Sequence, residues 1–292
     1  MHLGFDIGGT KIAGGIVDES GSILERASMP FPKETPQMLI DCLESMTGHL
    51  LEKAGLEFQV LSSVGAAVPG QLDPAHASVR HAYNLNLFDF PLKKLLQERL
   101  DGLPVFLAND ADAATLAEWQ AGALQGCGTG VLLTLGTGLG GGLILNGALF
   151  QGGLSHGTEP GHMTLALGRE VCTCGNSGCA ETLCAASWFH RCGFENAKAA
   201  EEAAKRGDAD ALAAFEQYTD ALSSQIASIA NLLDPERIAL GGGLSQAGDV
   251  LYAPLRMKVK EKSFFRYAYP IVPASMGNDA GIVGAALLSR YL

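Results

Sequence analysis

Four potential metal ligands lie close together in one short stretch of the sequence. They follow the pattern H-x9-C-x-C-x4-C and are His162, Cys172, Cys174 and Cys179. One imidazole and three thiolates form a ligand set of closed, four-coordinate zinc sites. Gly175 and Gly178 allow the chain to turn tightly around a common point. We therefore predict a structural zinc ion at these residues, in preference to a set of unrelated buried thiols.

Acidic side chains accompany this cluster at positions where they could bind hydroxyl groups. Asn109 and Asp110 end the predicted strand PVFLAND, and open α/β sheets bind ligands at such strand ends. Asp110 is suited to accept a proton from a substrate hydroxyl. Glu159 and Glu181 lie where a zinc loop would hold them in place. A lone carboxylate is commonly a solvated surface charge, but these acceptors together indicate a ligand with several hydroxyls. Each buried polar group that such a ligand left unpaired would cost about 1–3 kcal/mol.

Glycine-rich turns could contact phosphate groups. The first is DIGGTK, residues 6–11, in which glycine amides can approach an anion, Thr10 and Lys11 add donors, and Asp6 could hold a hydrated divalent cation. The second is GTGLGGG, residues 136–142, and a third run occupies 241–243 after the strand RIAL. Each could instead be an ordinary turn, and DIGGTK is not the GxxxxGK[ST] phosphate loop.

Two familiar motifs occur in surroundings that do not fit them. Residues 136–141 match the dinucleotide-binding pattern GxGxxG, which requires a following helix. The sequence that follows, GLILNGALF, instead has the alternation of a strand. Residues 153–157 match the hydrolase pattern GxSxG, which requires a strand before it and a helix after it. Glycine and proline residues flank this match, so neither an oxidoreductase nor a hydrolase is favoured.

The elements that must position these residues alternate between strands and helices. A strand, a glycine turn and two further strands open the chain over 2–27, and a similar strand, glycine turn and strand recurs over 130–149. Helices are predicted over 36–54, 91–100, 111–124 and 208–233, with a closing helix over about 279–292. This pattern predicts two α/β lobes with a cleft between them. We expect one lobe to comprise 1–110 together with the closing helix, and the other to comprise 111–278 with the zinc loop.

Composition narrows the class of protein further. Of the 292 residues 47% are apolar and 17% charged, which excludes a disordered chain. Acidic residues exceed basic ones by 31 − 20 = 11, which disfavours binding to nucleic acid or anionic membranes. The uncharged stretch 119–158 is too rich in glycine for a membrane helix. The first residues lack a secretory signal, so we expect a cytoplasmic protein. The seven cysteines are odd in number, which favours a metal site or free thiols over a set of disulfides.

These motifs together resemble those of a known family. In order along the chain they are DIGGTK at 6–11, VPG at 68–70, NDADA at 109–113, GTGLGGG at 136–142, EPGH at 159–162, CTCGNSGCAE at 172–181 and GGGLS at 241–245. The sequence resembles the ROK-family sugar kinases over most of its length, and within that family it is similar to the bacterial glucokinases. This resemblance implies the two-lobed actin-like ATPase fold, which is ribonuclease H-like, with ATP and Mg²⁺ in the interlobe cleft.

The resemblance also implies roles for individual residues. Asp110 looks like the catalytic base. The implied sugar contacts are Gly70, Asn109, Asp110, Glu159, His162 and Glu181. The implied nucleotide contacts are Asp6, Gly8, Gly9, Thr10, Lys11, Gly136, Thr137, Gly138, Gly140 and Gly242. His162 would bind zinc through one nitrogen and a sugar hydroxyl through the other.

The activity implied is transfer of the ATP γ-phosphoryl group to a hexose, with the 6-hydroxyl of glucose as the expected acceptor. The motifs leave open a kinase for N-acetylmannosamine, fructose or allose, or a zinc-stabilised sugar-sensing protein without turnover. Many family members have NDANA where this chain has Asp112, and Pro160 occupies the variable position of ExGH. The family implies a homodimer, and the short segment before Asp6 disfavours DNA binding.

Overall fold

The computed structural model describes residues 1–31, 34–166 and 170–292. Within it the chain forms two compact units. Unit 1 comprises Met1–Gln125, Ala148–Thr158 and Asn278–Leu292, and unit 2 comprises Gly126–Gly147 and Glu159–Gly277. Each unit has its own apolar core. In the described ranges no helix is both long and apolar enough to cross a membrane.

The apolar opening sequence forms the centre of the main sheet of unit 1. The strands β1 (His2–Ile7), β2 (Lys11–Val17) and β3 (Ile23–Pro30) make an antiparallel meander. On its other side β1 pairs in parallel with β4 (Ser63–Val68), every residue of which is buried. The sheet also contains β8 (Val105–Asn109), and its order is β3-β2-β1-β4-β8. The predicted strands that carry Asp6 and Asn109 are therefore confirmed.

A smaller antiparallel sheet in unit 1 was not predicted from the sequence. It has the order β5-β6-β7 and consists of β5 (Gln71–Leu72), β6 (Val79–Ala82) and β7 (Leu87–Phe90). Its strands have only two to four residues. A stretch that short shows too little alternation to be recognised as a strand.

The helices of unit 1 follow the predicted apolar stripes. They are α1 (Gln37–Ala54), α2 (Leu92–Arg99), α3 (Asp110–Ala121) and α9 (Ala280–Ala286). The predicted closing helix is shorter than expected, since a 3-10 turn over Leu287–Arg290 follows α9. The short strand β11 (Ala148–Phe150) also lies in unit 1.

Helix α9 packs unusually closely because the facing residues are small. A Cβ atom added to Gly4 in β1 would lie 2.0 Å from the carbonyl oxygen of Ile282, and one added to Gly65 in β4 would lie 1.8 Å from that of Ala285. A Cβ on Gly284 would lie 1.7 Å from the Ala113 carbonyl oxygen in α3. Helix α9 therefore rests directly on the backbone of β1, β4 and α3.

Unit 2 repeats the strand order of unit 1. Its strands β9 (Gly130–Leu135) and β10 (Leu139–Leu145) form an antiparallel hairpin, and β9 pairs in parallel with β12 (Arg237–Gly241). With β13 (Ile271–Pro273) the order is β10-β9-β12-β13, which matches β2-β1-β4-β8. The GTGLGGG turn thus leads into a strand. The dinucleotide-binding interpretation of GxGxxG requires a helix there, and this described part of the chain has none, so that interpretation is excluded.

The helices of unit 2 cover this sheet and its core. They are α4 (Glu181–Cys184), α5 (Ser187–Arg191), α6 (Ala197–Lys205), α7 (Ala209–Leu233) and α8 (Asp249–Lys262). Helix α7 begins at the cap Asp208, whose carboxylate accepts a hydrogen bond from Ala211 N, close to the predicted start. Helix α8 contains Pro254, a residue that normally interrupts helices, and it was not predicted.

The compact units divide the chain differently from the predicted domains, 1–110 with 279–292 and 111–278. Helix α3 contacts α9, and the segment 148–158 groups with unit 1 as well. The predicted domain limits stay a prediction about how the chain is organised.

Candidate active site

The hairpin turn between β1 and β2 presents the predicted phosphate-binding residues of unit 1. The Gly8 amide donates a hydrogen bond to the Lys11 carbonyl oxygen at 3.0 Å, which closes the turn. Gly9 is half-buried, whereas Thr10 and Lys11 are exposed. Because the Gly8 amide is used within the turn, a phosphate group would be bound by the later amides and by the Thr10 and Lys11 side chains.

Two carboxyl groups, Asp6 and Asp110, have raised pKa values in unit 1. Burial, followed by the negative charge of Asp110, raises the pKa of Asp6 to about 6, and Lys11 opposes the shift. Desolvation raises the pKa of Asp110, against hydrogen bonds from backbone amides that lower it. Part of Asp110 nevertheless remains exposed to solvent. Two repelling carboxylates of this kind suit a hydrated divalent cation.

Gly281, on α9, is a residue of this site that the sequence analysis missed. A Cβ atom added at Gly281 would lie 2.5 Å from Cγ of Asp6, so only glycine leaves room for the carboxylate there. Its signal in the sequence is weak, because Gly281 is one of 37 glycines and lies at the opposite end of the chain.

Asn109 and Asp110 stand where β8 ends and α3 begins. The Asn109 side chain caps α3, since its Oδ1 accepts a hydrogen bond from Ala111 N at 2.8 Å. Its Nδ2 donates to the Gly70 carbonyl oxygen at 3.1 Å. Gly70 has φ of 94°, and a Cβ there would lie 2.2 Å from the His81 carbonyl oxygen. The structure therefore brings three predicted sugar contacts, Gly70, Asn109 and Asp110, to one place.

Asp112 differs from the asparagine in the family pattern and is almost fully buried, with 2% of its surface exposed. It lies in the first turn of α3, where the helix dipole favours a negative charge. A Cβ built on Gly157 would lie 3.3 Å from Asp112 Oδ2, so the Asp112 carboxylate packs against the segment 151–158.

In unit 2, Glu181 connects the second glycine-rich turn with the cysteines. Glu181 Oε2 accepts a hydrogen bond from the Leu139 amide at 3.0 Å, and Oε1 lies 3.8 Å from the Sγ atom of Cys172. A Cβ on Gly138 would lie 2.3 Å from Oε2, so the turn 136–138 can approach this carboxylate only because residue 138 is glycine. Gly138 and Leu139 are thereby held beside Glu181. Gly136 and Thr137 lie in the same turn, which the Gly136 amide closes by donating to the Gly138 carbonyl oxygen at 3.1 Å, and Gly140 follows in β10.

The four predicted zinc ligands converge in unit 2. The ligand atoms of His162, Cys172, Cys174 and Cys179 all lie within 4.8 Å of one another. Cys172 Sγ is 3.6 Å from His162 Nδ1, and Cys174 Sγ is 3.6 Å from Cys179 Sγ. Tetrahedral zinc with bonds of about 2.3 Å to sulfur separates its ligands by roughly 3.7 Å. The donor set and its spacing therefore fit a structural zinc ion.

The loop Cys172–Cys179, called the cysteine loop below, folds around this point. Both glycines within it have a positive φ, 89° at Gly175 and 80° at Gly178. Burial, followed by the neighbouring thiols, raises the pKa of Cys179 to about 11, while a hydrogen bond from the Asn176 backbone lowers the pKa of Cys174. Thiols packed this closely favour a metal ion, which stabilises their thiolate forms.

His162 is oriented so that its two nitrogens face different groups. Nδ1 faces Cys172, whereas Nε2 lies 4.0 Å from Oε2 of Glu159, whose side chain is 60% exposed. Both residues flank the 3-10 turn Pro160–His162. The carbonyl oxygen of Pro160 accepts a hydrogen bond at 2.7 Å from the buried amide of Gln225, which the sequence analysis missed. The sequence could have pointed to Gln225, because it is a polar residue within the apolar stripe of α7.

Gly242, the last predicted nucleotide contact, follows β12 and approaches β9. Its φ is 79°, and a Cβ there would lie 2.4 Å from the Leu135 carbonyl oxygen. The Ser245 hydroxyl donates to the Gly242 carbonyl oxygen at 2.7 Å. This glycine is required for close packing next to the β9–β10 turn, and its contact with a nucleotide stays a prediction.

Comparison with known proteins identifies the family. The ROK family model matches residues 2–291. The chain belongs to the ROK family. A glucokinase of Halalkalibacterium halodurans is 34% identical, over 99% of this chain and 94% of its own length. An N-acetylmannosamine kinase of Haemophilus influenzae is 32% identical, over 97% of this chain and 93% of its own length.

Solved structures of ROK-family proteins also resemble this chain. The crystal structure of a ROK family glucokinase from Streptomyces griseus in complex with glucose and AMPPNP has a TM-score of 0.84 and 32% identity, with 99% of each chain covered. The predicted two-lobed actin-like ATPase fold and the predicted enzyme class, a sugar kinase, are confirmed. The individual roles predicted for the site residues stay predictions.

Proposed function

We propose that this ROK-family enzyme transfers the γ-phosphoryl group of ATP to a hydroxyl group of a hexose, with the 6-hydroxyl of glucose as its preferred acceptor. The observation that carries the proposal is Asp110, a desolvated carboxylate with a raised pKa at the carboxyl end of β8, fixed beside the capping residue Asn109. The glucokinase relatives, one of them solved with glucose and an ATP analogue, support this acceptor and this donor.

In the proposed mechanism Asp110 accepts the proton of the attacking hydroxyl. Its raised pKa makes it a stronger base than an ordinary aspartate. Asp6 would hold a hydrated Mg²⁺, which neutralises charge on the transferring phosphate when bound. Thr10 and Lys11 of unit 1 and the turn 136–138 of unit 2 would contact the nucleotide phosphates. Most of the catalysis is then positioning and charge stabilisation.

The groups of unit 2 around the cysteine loop would recognise the sugar. His162 directs Nδ1 to Cys172 and leaves Nε2 near Glu159, so its Nε2 could bind a hydroxyl while Nδ1 binds zinc. His162 and the three cysteines would fill all four positions of a zinc ion, which would organise the loop and have no open position for the phosphoryl transfer. Glu159 keeps an exposed carboxylate that can accept hydrogen bonds from a ligand. Glu181 already accepts one bond from Leu139, and each of its oxygens can accept another.

A second candidate acceptor is N-acetylmannosamine, because a kinase for that sugar is also 32% identical over nearly the whole chain. Fructose and allose are further alternatives. The residues described above would bind hydroxyls in general and would not select one epimer, so the choice depends on measured rates.

The test is a panel of these sugars assayed with MgATP. We expect glucose to have the highest kcat/KM, and sugar-dependent ADP release to match the amount of sugar phosphate formed. A higher kcat/KM for N-acetylmannosamine would favour the second candidate. No phosphorylated product from any sugar, in protein that binds ATP, would contradict the kinase proposal.

We further propose that the protein is a cytoplasmic homodimer that binds no nucleic acid. The dimer is supported by the family alone, the absence of nucleic-acid binding by the acidic composition, and the location by the odd number of cysteines. Light scattering with size-exclusion chromatography would test the dimer, since a mass of 30.5 kDa would contradict it.

A further inference from the structure

His76 has an imidazole ring whose two nitrogens both face backbone carbonyl oxygens. It lies between β5 and β6. Its Nδ1 is 3.0 Å from the carbonyl oxygen of Leu107, and its Nε2 is 3.2 Å from that of Ser155. A carbonyl oxygen can only accept, and a neutral imidazole has one N–H donor. Both contacts are hydrogen bonds only when the ring carries a proton on each nitrogen.

The two carbonyl groups belong to segments that lead to proposed sugar-binding residues. Leu107 lies in β8, two residues before Asn109. Ser155 lies in the segment 151–158, which continues directly into Glu159. The His76 ring therefore joins the strand that ends at Asn109 to the segment that precedes Glu159.

The turn around His76 is fixed by its own hydrogen bonds. His76 has φ of 49°, a left-handed conformation that is unfavourable for histidine. The carboxylate of Asp73 accepts hydrogen bonds from Ala77 N at 2.7 Å and from Ser78 N at 3.2 Å. This arrangement holds the ring in place, although the backbone conformation alone would favour glycine or asparagine.

A small cavity adjoins His76. Its volume is about 190 Å³, and Leu107 and Ser155 help to line it, together with Lys93 of α2. The ring, β8 and the segment 151–158 therefore meet around one space.

We propose that His76 is a positioning residue for the sugar site, and that its ring holds the segment 151–158 against β8. The proposal rests on the proposed function, because a sugar is the ligand that these segments would bind. Without the ring, both carbonyl oxygens lose their partner and the segment is released from β8. The consequence is a weaker sugar complex with little change in the chemical step.

The kinetic test compares His76→Asn with wild type. Asparagine tolerates the left-handed backbone, but its shorter side chain cannot reach both carbonyls. We expect the hexose KM to rise about three- to tenfold, as for loss of one hydrogen bond, with kcat changed less than about twofold. His49→Asn, at an exposed position of α1, is the matched control and should leave both constants unchanged. An unchanged KM in His76→Asn, or an equal fall in kcat, would overturn the proposal.

A second measurement needs neither sugar nor ATP. Hydrogen exchange of the backbone amides in 151–158 should be faster in His76→Asn than in His49→Asn. Equal exchange rates would refute the role of His76 even in an active kinase. Conversely, the expected exchange result in a protein that phosphorylates no sugar would contradict only the proposed function. If His76→Asn does not fold, His76→Gly, which suits the same backbone, serves as the second variant.

Discussion

The Glu181 carboxylate accepts a hydrogen bond from the Leu139 amide at 3.0 Å, while its other oxygen lies 3.8 Å from Cys172 Sγ. This one side chain joins the start of β10 to the cysteine loop. The glycine-rich turn and the metal cluster of unit 2 are therefore adjacent, although 42 residues separate Leu139 from Glu181.

We expect Glu181→Ala to lower the free energy of unfolding by about 1–3 kcal/mol, because the partly buried Leu139 amide loses its acceptor. Thermal unfolding followed by calorimetry measures this change. Glu195→Ala, at an exposed position of the same unit, should change the stability little. An equal effect of the two substitutions would show that the Glu181 bond contributes nothing.

Removal of the metal cluster should weaken sugar binding more than ATP binding. Purified protein should contain about one zinc ion per chain, and Cys179→Ser should lose it together with most of its affinity for the hexose, because His162 and Glu159 are no longer fixed. Cys192→Ser, which replaces a thiol outside the cluster, is the control and should keep its zinc. Metal analysis and sugar titration calorimetry give the two readouts. Full zinc content in Cys179→Ser would refute the ligand assignment.

Asp110→Asn should abolish proton acceptance while retaining the shape of the side chain. We expect kcat to fall by about 10²–10⁴-fold and the affinity for glucose to stay within a few-fold of wild type. Steady-state kinetics and equilibrium glucose binding test this pair of expectations. A variant with a tenth of the wild-type kcat would exclude Asp110 as the base.

Asp6 should destabilise the metal-free protein at neutral pH. Because its pKa is raised from 3.8 to about 6, the folded protein binds this proton more tightly than the unfolded chain does. The free energy of unfolding therefore falls as the pH rises from about 4 to 7, by at most about 3 kcal/mol, and most of the loss has occurred by about pH 6.

Replacement of Asp6 by Asn removes this titration. In chelator, denaturant unfolding should show Asp6→Asn gaining stability over wild type between pH 4 and pH 7, while its kinase activity is lost. Asp18→Asn is the opposite control, because hydrogen bonds from Ser20 and Ser22 lower the pKa of Asp18. A constant difference between Asp6→Asn and wild type across this pH range would contradict the raised pKa.

Local patterns predicted the parts of the fold in which neighbouring residues decide the structure. The alternation around DIGGTK gave the β1–β2 hairpin, and the apolar stripe over 36–54 gave α1, which begins at Gln37 and ends at Ala54. The spacing of His162 and the three cysteines gave the metal cluster, because short glycine-containing loops leave such ligands few other arrangements.

Relationships between distant segments could not be predicted in this way. The close approach of Gly281 to Asp6 depends on α9 packing against β1, and no local pattern encodes that contact. The double contact of His76 likewise depends on a turn, a strand and a loop that meet only in the folded unit. Helix α8 was missed because Pro254 hides its helical pattern.

The packing of α9 on β1 and β4 has a consequence for biosynthesis. Strand β1 leaves the ribosome long before α9, with which it makes backbone-level contacts, so unit 1 cannot be completed until α9 has been translated. Unit 2, whose residues all precede 278, can form its core before then. We expect the nascent sheet of unit 1 to remain open to proteases and chaperones until α9 has emerged.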